Sequence, residues 1–186
     1  MNTEALRIWK HFHWLFFTNT QALVICFGRL KDALRDQCEE GMRAELKTAV
    51  ELLRASGASM RMAGSFSRRE YENIVRPSMQ VPNVQEDDFS GLMSWDHAVL
   101  VQLWRELSPL LGALPETLHP EHRELLKAYR FLATSHREVC ERFGGNEGGS
   151  IRSKKSVAVN LLDQFEKTRS KLLAPRKISG CPVFHD

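Results

Sequence analysis

Apolar residues recur along this chain at helical spacing, and no stretch alternates with the period of two that a half-buried strand requires. Between residues 4 and 38 one stripe carries Leu6, Trp9, His13, Phe16, Phe17, Leu23, Cys26, Phe27, Leu30 and Leu34. Thr18 and Thr20 interrupt it and mark an expected kink or break. Gly41 is expected to separate this segment from a second helix, Met42 to Ala63, with Leu46, Val50, Leu53, Gly57 and Met60 on one side. The run Ala55, Ser56, Gly57, Ala58, Ser59 suits the close approach of another helix or a flat ligand, close helix packing being the commoner use. Gly64 ends that helix, and Ser67-Arg68-Arg69-Glu70 has the form of a capping box.

Arg76-Pro77 is expected to leave the helical region, because proline disfavours that conformation in its predecessor. Residues 76–91 then read as a long irregular connection. Ser94 or Asp96 caps the next helix, SWDHAVLVQLWRELSPLLGAL, with Val99, Leu100, Leu103, Trp104 and Leu107 as its stripe. Pro120 suits the first position of a helix that runs to about Phe143 and ends at Gly144. Its apolar stripe is Leu125, Leu126, Tyr129, Leu132, Ala133, His136 and Cys140, so His136 falls on the dry face. A last helix, roughly Ser156 to Leu173, precedes a C-terminal tail over 174–186. The pattern predicts an all-α, single-domain helical bundle of about six helices spanning 1–186, without internal repeats.

Composition adds little to that picture. At 186 residues, 42% hydrophobic and 26% charged, the chain can bury one proper core. The net charge of +3 is unevenly spread, with 13 basic and 6 acidic residues from Arg123 to Lys177. That basic third suits an anionic ligand, although solvated Lys and Arg faces explain such a bias more often. No basic helix with interleaved aromatics points to nucleic acid. Cys26, Cys38, Cys140 and Cys181 lack CxxC or disulfide-scaffold spacing, and free thiols in a reducing cytoplasm are expected. No leader peptide is evident, and the run Trp14 to Leu30 is too polar to span a bilayer. Its aromatic bulk instead suggests homo-oligomerisation through the N-terminal helix.

Chemistry concentrates in RFLATSHREVCERFGGNEGGSIRS, residues 130–153. His136 and Cys140, four apart, project from one face of a helix. The glycine-rich loop that follows offers backbone N–H groups and the Ser150 hydroxyl. An imidazole on an apolar face can bind iron, although a hydrogen-bonded core histidine is the commoner explanation for one that stands alone. His119-Pro-Glu-His122 has ligand spacing, but an ordinary helix start accounts for it. HExxH, P-loop and nucleophile-elbow patterns are missing.

HREVCERFGGNEGGS resembles the segment around the proximal histidine of the tryptophan 2,3-dioxygenase-like superfamily, the haem-dependent aromatic oxygenases. There the ligating histidine is followed by an arginine six residues on, a glycine nine residues on, and a Gly-Gly-Ser/Thr loop that touches substrate. His136, Arg142, Gly145 and Gly148-Gly149-Ser150 stand at those places. His136-x-x-x-Cys140 also matches the HxxxC element of tyrosine-hydroxylating members, in which cysteine is linked to haem and an upstream histidine can be the iron ligand. His97, His119 and His122 are then the alternatives. The family's Trp-Arg before the histidine is replaced by Leu132-Ala133, and its Gly-Thr before the Gly-Gly is absent. SWDHAVLVQLWREL resembles the distal-histidine helix of the same enzymes.

The resemblance implies a haem (iron) cofactor and an oxygenase acting on an aromatic amino acid or indole-type substrate, as a mono- or dioxygenase. It implies His136 as metal ligand, Cys140 as covalent anchor, and Arg142, Gly148, Gly149 and Arg152 around the cofactor. His97, Ser150 and Arg76 would meet the substrate, the last through a carboxylate, and Lys154 and Lys155 would join Arg152 at the propionates. From a different class, a non-catalytic helical dimerisation or partner-binding module also fits the aromatic N-terminal helix.

Overall fold

A computed structural model describes residues 3–83, 94–145 and 157–174. Helix α1 is Glu4–Arg35, α2 is Glu39–Ala63, α5 is Trp95–Leu110, α6 is His119–Arg142 and α7 is Ala158–Leu173. Between α2 and α5 lie α3 (Arg68–Glu70), a π-helical turn (Tyr71–Val75) and α4 (Arg76–Ser78). The described residues contain no strand, and the fold is all-α as the periodicity predicts. Among them, no helix is long and apolar enough to cross a membrane. The tail beyond residue 174 lies outside the described residues.

The expected break in α1 does not occur. Thr18 and Thr20 turn their hydroxyls back onto the carbonyls of Trp14 and Phe16, both at 3.0 Å, so neither competes for the helix's own N–H groups. The chain reverses at Gln37 (φ 55°), where the Cys38 N–H bonds the Ala33 carbonyl at 2.9 Å, in place of the expected break at Gly41. Gly41 sits inside α2, where a β-carbon would lie 3.2 Å from the Ala33 methyl. Arg76 also departs from expectation by staying helical. Pro77 lacks an N–H, and the π turn before it widens the helix by one residue. The Arg76 N–H accordingly reaches back five residues to the Tyr71 carbonyl.

Helices α5 and α6 repeat the directions of α1 and α2 at a steady offset in sequence. Gln21 bonds Asp96 and Lys31 bonds Glu106, so α5 runs parallel to α1. Arg43 pairs with Glu121, Arg61 with Glu138, and Arg142 bonds the Gly64 carbonyl, so α6 runs parallel to α2. A β-carbon at Gly57 would fall 2.5 Å from the Phe131 ring, which shows what the small-residue run is for: α6 packs hard against it. Helix α7 packs on both α5 and α6 and completes a ring ordered α2, α1, α5, α7, α6. His122, buried, is hydrogen-bonded through Nε2 to the Leu173 carbonyl at 2.6 Å and pins the end of α7 to the start of α6.

Two apolar clusters form inside. The larger is built on Phe27, Leu46, Leu53, Trp104, Leu107 and Leu125; the smaller on Ala5, Tyr71, Val75, Val139 and Phe143.

Candidate functional site

A cavity of about 590 Å³ opens between the two clusters, with a predominantly apolar lining. Every helix of the ring reaches it: Trp9, His13 and Phe17 from α1, Leu53 and Met60 from α2, His97 and Trp104 from α5, Tyr129, His136 and Cys140 from α6, and Phe165 and Arg169 from α7. Tyr71 and Arg76 close one end. The aromatic walls are ordered. Tyr71 stacks on Phe143 with centroids 4.2 Å apart and planes 4° from parallel, and Trp104 meets Tyr129 edge-on at 5.3 Å. These are the stacked and edge-on arrangements that aromatic pairs favour.

Four of the residues singled out from sequence meet here. His136 sits deep among protein atoms, and its pKa falls to about 4, first through burial and then through the positive charges of His13 and Arg169. At neutral pH its imidazole is uncharged and keeps a lone pair. Cys140, one turn on, is a free thiol whose pKa burial raises to about 11, with the Glu141 carboxylate adding to the effect. His97 accepts a hydrogen bond at Nε2 from Arg169 Nη2, 2.8 Å away. A guanidinium can only donate, so the proton of a neutral His97 ring resides on Nδ1. Arg76 contributes from the rim, exposed to solvent.

Others fall elsewhere. Arg142 does not line the cavity; its guanidinium caps the end of α2 at the Gly64 carbonyl (2.6 Å), a strong charge-assisted bond that draws it away from His136. His119 is exposed and His122 is committed to Leu173, both at the far end of α6 from His136. Gly148, Gly149, Ser150, Arg152, Lys154 and Lys155 lie outside the described residues.

His13 and Arg169 line the cavity with polar groups and were not singled out as site residues from sequence. His13 donates from Nδ1 to the Trp9 carbonyl at 2.9 Å, which leaves Nε2 as its lone-pair nitrogen, and burial lowers its pKa. Arg169 lies over the face of Phe165 at 4.8 Å. A signal existed for each: His13 stands within the aromatic stripe of α1, and Arg169 follows Leu162 and Phe165 at helical spacing on α7. Helical periodicity alone does not separate a residue that faces a hole from one that faces a core.

A family model described as SfmD 3-methyl-L-tyrosine peroxygenase matches residues 1–128. The chain belongs to that family. A 3-methyl-L-tyrosine peroxygenase of Streptomyces lavendulae is 27% identical over 183 residues, covering 93% of this chain and 48% of the relative. The chain thus spans about half the length of that relative. No solved structure matches it. The family match covers His13, Arg76, His97 and Trp104 and ends before His136 and Cys140.

Proposed function

We propose that the cavity holds haem and that the chain works with it as a peroxygenase-type oxygenase on an aromatic amino acid, in the class of 3-methyl-L-tyrosine. The carrying observation is that the His136–Cys140 turn, His97 and Arg76, distant from one another in sequence, line one apolar cavity. Its volume lies in the range of about 300–1,000 Å³ usual for small-molecule and cofactor sites. The donor set also fits. Among the described residues no three His, Cys, Asp or Glu side chains cluster to hold a bare metal ion. Haem iron, already held by its own ring, would need only one or two donors from the protein. His136, neutral and desolvated, is the proposed donor. Cys140, one helical turn away, is the proposed covalent anchor. Ser150, Gly148, Gly149 and Arg152 are proposed contacts from the following loop.

Bound haem would supply the oxidising chemistry toward a peroxide or dioxygen co-substrate. The chain's own part is to exclude water with Trp104, Phe165 and Tyr71, to hold the aromatic ring between them, and to keep His136 unprotonated. Arg76 would meet the substrate carboxylate. His97 would meet the substrate from the α5 wall of the cavity, beside Arg169. Homo-oligomerisation through α1 belongs to the same proposal and is supported by the exposure of Trp14, Leu15 and Ile25; sedimentation velocity tests it, a monomer ruling it out.

The chain expressed with haem supply should be red with a Soret band. His136→Ala should abolish or shift that band, while His13→Ala should not. If the band follows His13 instead, the ligand assignment is wrong. Pigment that resists acid–acetone extraction, and becomes extractable in Cys140→Ser, would establish the covalent anchor.

A further inference from the structure

Arg169 is a guanidinium inside an apolar cavity, and no described residue supplies it with an anionic partner. It lines the cavity, packs over the Phe165 ring and donates to Nε2 of His97. The Tyr129 hydroxyl is its other polar neighbour in the cavity. Both groups are neutral, and among the described residues no carboxylate lies within ion-pair distance of it. Glu166 lines the same cavity without pairing with Arg169. Arg43, Arg54, Arg61 and Arg137, by contrast, each hold a carboxylate at the surface. Burial works against the charge of Arg169 and lowers its pKa. A desolvated guanidinium with one of its five N–H donors given to His97 is a strong site for a planar anion.

We propose that Arg169 is the carboxylate-binding residue of this cavity, rather than the rim residue Arg76. This rests on the reading of the cavity as the seat of haem and an aromatic amino acid, because either could bring the carboxylate: the substrate's α-carboxylate or a haem propionate. Arg76 is exposed, so a carboxylate there would stay hydrated and screened. Arg169 is placed by three elements at once, Phe165 beneath it on α7, His97 on α5 and Tyr129 on α6. That pre-positioning reduces the side-chain entropy lost on binding. His97 is, in this scheme, a positioning residue for the guanidinium.

The full 186-residue chain is titrated calorimetrically with L-tyrosine and with tyramine, which has the same ring but no carboxylate, both haem-free and haem-loaded. In parallel, protohaem and its dimethyl ester are titrated by Soret absorbance. Wild type is expected to prefer the free acid by about 10- to 100-fold in one of the two pairs, the size of a charge-assisted hydrogen bond. A preference in the amino-acid pair assigns Arg169 to substrate; one in the haem pair assigns it to a propionate. Arg169→Met should erase the preference while the affinity for tyramine or the ester is kept, and Arg169→Lys should retain part of it.

The proposal is overturned if wild type distinguishes neither pair, if the preference survives in Arg169→Met, or if Arg76→Met removes it instead. Should Arg169→Met lose its helical circular dichroism, Arg169→Lys decides: an undiminished preference there overturns the assignment. Failure of haem to bind, with the L-tyrosine preference intact, sinks the haem reading and leaves Arg169 in place.

Discussion

His136 is neutral because its surroundings forbid the charge. Burial lowers its pKa to about 4, and the Arg169 charge, with His13 whenever that ring takes up a proton, works in the same direction. In the unfolded chain an exposed histidine titrates near 6.5. Below about pH 6.5 the unfolded state therefore binds a proton that the folded state refuses, and stability falls as the pH drops from about 6.5 toward 4. The apo chain's urea midpoint should decline over that window. His136→Leu should make the decline shallower without abolishing it, since burial also lowers the pKa of His13 and His122. An unchanged slope in His136→Leu would show that the imidazole is better hydrated than its position indicates. The same refusal of a proton makes His136 available as a donor across the neutral range.

At the scale of elements, the contact between α2 and α6 sets how far His136 stands from the opposite wall. Gly57 lets the two backbones close up: a β-carbon there would come within 2.7 Å of two Phe131 ring atoms and 3.3 Å of the Leu132 α-carbon. Gly57→Ala gains about 1 kcal/mol of helix propensity. It also incurs about 1–3 kcal/mol of overpacking, because a ring and a backbone must move. The balance predicts a variant less stable by about 1 kcal/mol, read as a lower urea midpoint at unchanged m-value. A variant more stable than wild type would mean that Phe131 swings aside freely. Helix periodicity in the sequence shows that α2 and α6 are amphipathic. It does not show that they run parallel, which follows from paired residues such as Arg61 and Glu138.

For the whole molecule, the ring of helices leaves a space where a solid bundle would have a core. A group that binds this folded cavity and not the unfolded chain raises stability by about 2.7 kcal/mol at a hundredfold excess over its Kd. Haem added to the apo chain should therefore raise the melting temperature in a concentration-dependent way, and His136→Ala should weaken the rise. A melting temperature indifferent to haem would remove the cofactor from the proposal. The exposed Trp14, Leu15, Ile25 and Trp95 support the other reading, a partner-binding module, and that reading alone would survive such a result.

The sequence by itself determined the helices, since 3.6-residue periodicity, the Ser67 capping box, the Ser94 cap and Pro120 are local signals that act through neighbouring backbone groups. It also put His136 and Cys140 on one face of one helix, because their spacing is a property of that helix alone. It misplaced the first turn at Gly41 and expected a break at Pro77, where long-range packing and a π turn outweighed local preference. Only the tertiary structure decided which apolar faces meet a core and which meet a cavity. It brought His13, His97 and Arg169 to His136, and it drew Arg142 off to Gly64. The physical reason is that a stripe of apolar residues records how much surface must leave water, whereas the space left over depends on how several such stripes close against one another.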